Sequence, residues 1–217
     1  MDDRLAILDI SPRVSARLGV FPGDVPFSQD VLLDFPQGHN LKLSSVRTTV
    51  HLGAHADAPS HYARGGTNIA DADLGRYLGP CEVVWADVPR GARVGAKHLP
   101  DGWRPRAPRI LVRTGSFPDP DVWNADFCSL EPTLVELLAS HGVVLVGIDT
   151  PSVDPQDSKA LEAHGAIARA GLSILEGLVL DKAPAGLYTL IALPLALEGL
   201  DASPVRAVLL PEASLNP

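Results

Sequence analysis

The eleven positions from His51 to His61 read His-Leu-Gly-Ala-His-Ala-Asp-Ala-Pro-Ser-His and hold three of the chain's seven histidines and one aspartate. Imidazole and carboxylate together are the ligand set of Zn²⁺ and related divalent ions. Side chains of an extended chain alternate between faces. His51, His55 and Asp57, separated by even steps, would therefore share one side. A helix would keep His51 and His55 aligned at i, i+4 but turn Asp57 away, and Gly53 and Pro59 oppose a helix over 51–57. The expected geometry is an extended or loop segment with three donors on one side. His61 continues the even series beyond a bend at Pro59. A lone histidine is ordinarily a satisfied polar residue, but four such groups in one short run predict a metal site. The spacing leaves open which of the four is not a ligand.

Two further candidates lie in the second half of the chain. Asp157 to Ala170 reads as a helix, with Asp157 as N-cap and Gly171 as stop. Within it Leu161, His164 and Ala168 fall at i, i+3 and i+7, which turns His164 inward with Leu161. It is either a packed core histidine or the residue that completes a metal site. Leu172 to Leu180 reads as an apolar strand interrupted by one charge, Glu176. A carboxylate buried there is costly unless it is paired or bound to a cation. An exposed face or a salt bridge is the alternative.

These groups need a frame. A strand over 41–50 is expected to hold the histidine run rigidly, and Leu5 to Ile10 reads as a short strand. Residues 11–40 are rich in Pro and Gly and predict a long irregular segment. Within it Phe21-Pro-Gly-Asp24 is a turn signal, and Phe21 is either a loop anchor or a wall of a substrate pocket. Cys81–Val88, Arg109–Thr114, Leu187–Leu193 and Val205–Leu210 are apolar runs with strand character. Pro132 suits the first turn of a helix whose apolar face is Leu134, Leu137 and Leu138 and which His141-Gly142 ends. Val143 to Ile148 is a continuous apolar run, expected to be a strand buried on both faces. Many strands and few helices give an α/β chain with mixed sheets.

Composition bounds the rest. A chain of 217 residues with 46% hydrophobic and 20% charged residues predicts one domain over 1–217 with a substantial core. A formal net charge of −8 argues against nucleic acid or an anionic membrane surface as the main partner. Cys81 and Cys128 are too few and too far apart for a disulfide framework or a Cys-type metal site, which fits a reducing, cytoplasmic setting. The start, Met-Asp-Asp-Arg, is acidic, with no apolar targeting stretch after it. The longest apolar stretch, Leu187 to Leu197, is interrupted by Pro194 and is far short of a membrane span.

The motif His-x-Gly-x-His-x-Asp-x-Pro-x-His resembles the signature of the cyclase-like metal-dependent hydrolases, and within them the bacterial kynurenine formamidase (arylformamidase) branch. Asp9-Ile-Ser-Pro, Phe21-Pro-Gly-Asp24, Gly147-Ile-Asp-Thr-Pro-Ser-Val-Asp154 with Ser158-Lys159 and His164, and Leu193-Pro-Leu195 agree with it, so the resemblance spans nearly the whole chain. It implies a swivelling β/β/α-type single domain. It implies two metal ions per subunit, with His51, His55 and Asp57 on the first and Asp57, His164 and Glu176 on the second, Asp57 bridging. The donor set suits Zn²⁺ and also Mn²⁺ or Co²⁺. The implied reaction is hydrolysis of an aryl formamide, N-formyl-L-kynurenine, in tryptophan degradation. His61 would be the general base and acid; in the alternative assignment it orients a ligand or is one. The resemblance makes Phe21 a substrate-binding wall. Family members usually carry Trp there, and Phe offers no indole N–H and less stacking area. A homodimer is implied as well. A cyclic-amide or ester hydrolase such as an isatin hydrolase, and a non-catalytic metal- or ligand-binding protein on the same fold, are the competing readings.

Overall fold

The strands are β1 (Leu8–Asp9), β2 (Ser28–Leu33), β3 (Leu43–Arg47), β4 (His55–Asp57), β5 (Leu78–Trp85), β6 (Arg93–Val94), β7 (Arg109–Arg113), β8 (Ser129–Leu130), β9 (Leu145–Ile148), β10 (Ser173–Glu176), β11 (Gly186–Ile191), β12 (Ala202–Pro204) and β13 (Val208–Pro211). The helices are α1 (Pro59–Tyr62), α2 (Pro132–Ser140) and α3 (Glu162–Ala170). This computed structural model describes residues 6–211. Leu5, the expected start of the first strand, lies outside them.

Nine strands form one mixed sheet in the order β1-β13-β11-β5-β7-β9-β10-β4-β12. β5, β7, β9 and β10 run parallel, and the outer pairings on both sides are antiparallel. The parallel strands are buried on both faces, as parallel strands require. Their period-two alternation divides the core. Ile110, Val112, Val146, Ile148 and Ile174 point to one cluster, which α2 and α3 cover with Leu134, Val135, Leu138, Ala163 and Ile167. Leu111, Leu145 and Leu175 point to the other, with Ile10, Tyr77, Val83, Leu190 and Leu209. The result is a mixed α/β fold with few helices, as the apolar runs predicted.

Several local expectations change. Residues 11–40 are not wholly irregular, because β2 pairs with β3 in a separate two-stranded ribbon. Among the described residues β3 pairs only with β2 and is exposed throughout, so it cannot clamp the histidine run. The rigid neighbours of that run are β10 and β12, which flank β4. The expected helix over 157–170 starts five residues late. Leu161 adopts a left-handed conformation (φ 47°), and the Ser158 hydroxyl donates to Glu162 (2.9 Å) in the turn before α3. The buried face of α3 is Ala163, His164, Ala166 and Ile167, and Ala168 is exposed. The expected strand over 172–180 is shorter, because Gly177 turns the chain with φ +64° directly after Glu176.

Candidate active site

His55 and Asp57 sit on β4, the short strand between β10 and β12. The register with β10 puts Glu176 directly opposite His55, and the register with β12 puts Ala202 opposite Asp57. Facing residues of an antiparallel pair lie within side-chain reach. Pairing thus delivers a residue distant in sequence to the motif. Of the two expected geometries for 51–57, extended or loop, His51 takes the loop and does not reach the site along a continuous strand. Gly53 breaks the run with φ +56°, and His51 approaches from a turn. Pro59 opens α1, which carries His61. A proline is well placed there, since its missing N–H would have no helical partner in the first turn. His164 arrives from the buried face of α3.

The structure brings all six of these side chains together. His51 Nδ1 lies 3.1 Å from Asp57 Oδ1. His55 Nε2 lies 3.4 Å from Asp57 Oδ1 and 3.3 Å from Glu176 Oε2. His164 Nε2 lies 3.5 Å from Asp57 Oδ2 and 3.6 Å from Glu176 Oε1. Asp57 stands in the middle, with one oxygen toward His51 and His55 and the other toward His164. The atoms of His51, His55 and Asp57 fall within 4.8 Å of one another, and so do those of Asp57, His61 and His164. His61 is the most open of the four histidines, with its side chain 32% exposed.

Four of these atoms carry no hydrogen bond although they are buried: His55 Nε2, both oxygens of Asp57, and His164 Nε2. Unsatisfied buried polar atoms cost on the order of 1–3 kcal/mol each, and here all four converge on one point. Divalent cations fit that donor set. The opposite ring nitrogens are pinned. His55 Nδ1 lies 2.8 Å from the Gly53 carbonyl, to which it donates. His164 Nδ1 lies 2.9 Å from Asp154 Oδ2. Asp154 is fixed in turn by the backbone N–H groups of Ala163 and His164 and by Arg93. Ligand histidines are ordinarily oriented this way.

Charge follows from the geometry. Burial by itself would drive the His51 and His164 imidazoles toward neutrality. Facing carboxylates outweigh it: Asp57 and Asp201 lift His51 to about 9, and Asp154 and Asp57 lift His164 to about 10. Burial would raise the Asp57 carboxyl, but the facing His164 and His51 imidazoles hold it well below the usual range. The facing carboxylates therefore favour the protonated form of both imidazoles.

The cluster forms the floor of a cleft of about 340 Å³. Phe21, Phe117 and Trp123 line it, and Trp123 packs edge-on against Phe21 (5.4 Å between centroids) and Phe117 (5.7 Å). Phe21 is thus a wall of the cleft rather than an anchor turned into the core. Trp123 was not legible from the sequence, because nothing in its surroundings marks it as a neighbour of residue 21. Asp154, part of the motif that carries the resemblance, was given no role from the sequence, and Asp201 was not singled out. Asp201 Oδ2 lies 3.1 Å from His51 Nε2 and 3.1 Å from His61 Nδ1, yet it is 140 positions from His61 in the chain.

The profile of the family described as putative cyclase matches residues 8–155. A kynurenine formamidase from Bordetella petrii is 46% identical over 201 residues, which is 93% of this chain and 96% of that protein. This chain belongs to the cyclase family. Among solved structures, a potential metal-dependent hydrolase with cyclase activity aligns with TM-score 0.80 at 24% identity, covering 95% of this chain and 98% of that one. Isatin hydrolase A from Labrenzia aggregata aligns with TM-score 0.78 at 21% identity, covering 94% and 93%. At those identities the two structures attest the cyclase-family fold. Among the described residues, no helix is long and apolar enough to cross a membrane.

Proposed function

We propose that the protein is a metal-dependent arylformamidase that hydrolyses N-formyl-L-kynurenine to L-kynurenine and formate. The observation that carries this reading is the set of buried, unpartnered donor atoms of His55, Asp57 and His164 at the floor of an aromatic-walled cleft. The kynurenine formamidase of Bordetella petrii, 46% identical over nearly the full length, supports it.

His51, His55 and Asp57 would hold one divalent ion, and Asp57, His164 and Glu176 a second, with Asp57 serving both. Zinc is the ion we assign to this set; Mn²⁺ and Co²⁺ accept the same donors. A divalent ion there supplies Lewis acidity, which polarises the formyl carbonyl and makes hydroxide available near neutral pH. The residues of this chain do the rest. His61, the most open of the four histidines, takes a proton from the attacking water. The water oxygen bonds to the formyl carbon, the C–N bond breaks, and His61 delivers the proton to the departing aryl amine. Phe21, Phe117 and Trp123 give the aromatic ring of the substrate an apolar wall, and Trp123 adds the indole that position 21 lacks. The Trp123 Nε1–H is spoken for, donating to Gln156 Oε1 (2.7 Å), so its contribution is the ring face rather than the N–H.

We place the protein in the cytoplasm, as one domain over 1–217. We also take it to be a homodimer, for which the exposed apolar side chains of the β2–β3 ribbon, Leu32, Leu43 and Val46, supply a sticky surface. Hydrolysis of N-formyl-L-kynurenine and of isatin by metal-replete protein tests the activity. Turnover of the linear formamide well above that of the cyclic amide is expected. Preference for isatin would replace this assignment with that of a cyclic-amide hydrolase, and inactivity on both would leave a binding protein.

A further inference from the structure

We propose that Asp201 is a positioning residue that sets the tautomers of two histidines through a single carboxylate oxygen. It would make Nδ1 the ligand atom of His51 and Nε2 the proton-transferring atom of His61. The inference deepens the reading above and rests on it for the roles of His51 and His61.

A neutral imidazole has one N–H donor and one acceptor nitrogen, and an ionised carboxylate only accepts. Whichever ring nitrogen faces the carboxylate must therefore carry the proton. Asp201 Oδ2 faces Nε2 of His51 and Nδ1 of His61, each at 3.1 Å. The two rings lie 4.3 Å apart between centroids, which lets one oxygen serve both. Holding the proton on Nε2 of His51 leaves Nδ1, the nitrogen 3.1 Å from Asp57 Oδ1, as a free lone pair. Holding the proton on Nδ1 of His61 leaves Nε2 as the basic nitrogen.

The arrangement completes a pattern. His55 and His164 are pinned at Nδ1 by Gly53 and Asp154 and offer Nε2 inward. His51 is inverted, offering Nδ1 inward, and the group that pins its outer nitrogen is Asp201. The backbone holds Asp201 in place. Its carbonyl accepts from the Ala58 N–H (2.8 Å), and the next residue, Ala202, pairs with Asp57 across β4 and β12. The carboxylate thus stands at the entry to the strand beside the motif, although it lies far along the chain.

The test combines ¹⁵N side-chain NMR of the zinc-loaded protein with steady-state kinetics on N-formyl-L-kynurenine, for wild type, Asp201→Ala and Asp201→Glu. In wild type, the proton should be found on Nε2 of His51 and Nδ1 of His61. In Asp201→Ala, His61 should shift toward the other tautomer and kcat should fall roughly 10–100-fold, the usual effect of losing such a partner. KM should change little, and Asp201→Glu should recover part of kcat. A wild-type His61 protonated on Nε2 overturns the inference without any variant. So does a His61 that keeps its Nδ1 proton in folded Asp201→Ala, even if kcat drops, because the loss would then be structural. The tautomers are read without substrate. If they behave as stated but wild type does not turn over the formamide, the proposed function fails while the role of Asp201 stands.

Discussion

His61 and the three buried-site histidines differ in their surroundings more than in their chemistry. His55 and His164 end in orphaned nitrogens at about 2% exposure, whereas His61 opens to the cleft. In the proposed function the buried histidines are the ligands and His61 is the proton carrier. A general acid/base contributes about 10²–10⁴ in rate, so His61→Ala should lower kcat by that range with metal content and melting temperature unchanged. Metal analysis beside kcat checks this. Loss of metal along with activity would make His61 a ligand instead. At this scale the sequence was highly legible. Histidines and an aspartate at even spacing point to metal chemistry because few other arrangements concentrate them so. Glu176 was legible because one charge in an apolar run must be compensated. Asp201, Asp154 and Trp123 were not, since each acts across a distance that only the fold closes.

At the scale of elements, β4 is three residues long and depends on its neighbours for its position. Two glycines make the close approach possible. Gly53 and Gly177 both have positive φ, and a Cβ on Gly177 would collide with the Gly53 carbonyl, the group to which His55 Nδ1 donates. Gly177→Ala should therefore cost on the order of 1–3 kcal/mol in stability, the scale of strain for a side chain held in the left-handed region. It should also weaken metal binding by displacing the Gly53–His55 contact. Thermal melts with and without added Zn²⁺ read both effects. A variant with wild-type melting temperature and metal affinity would mean that the turn is not a support of the site. Apolar runs revealed β5, β7 and β9 because burial on both faces leaves an unambiguous signal, and a single apolar face revealed α2. β3 was expected within the strand over 41–50, but its partner β2 and the late start of α3 stayed hidden. The ribbon is exposed and lacks a buried face to pattern it, and the left-handed Leu161 is a conformation that residue type does not advertise.

Across the whole molecule, the proposed function makes protons and metal compete for the same atoms. His51 and His164 have folded-state values of about 9 and about 10, above the ordinary value for histidine. Their contribution to the stability of the metal-free protein is fully present below about pH 6.5. It is lost as pH rises through 9 to 10. Metal binding runs the other way, because each imidazole must shed its proton to become a ligand. Zinc affinity should therefore increase from pH 6.5 toward pH 9, with about one proton released per site filled at pH 7 and about two per chain when both are filled. Calorimetry in buffers of different ionisation enthalpy measures the proton count. Affinity independent of pH, with no proton release, would contradict the assignment of His51 and His164 as ligands.

The central claim is that the cluster around Asp57 holds metal and that the metal-loaded cleft cleaves an aryl formamide. Titration of chelator-stripped protein with Zn²⁺, with the rate of N-formyl-L-kynurenine hydrolysis followed at each step, tests both halves together. The account predicts negligible activity without metal, a rise with added zinc, and a plateau at about two equivalents per chain. Full activity in rigorously metal-free protein would contradict it, and so would a fully loaded protein that leaves N-formyl-L-kynurenine intact.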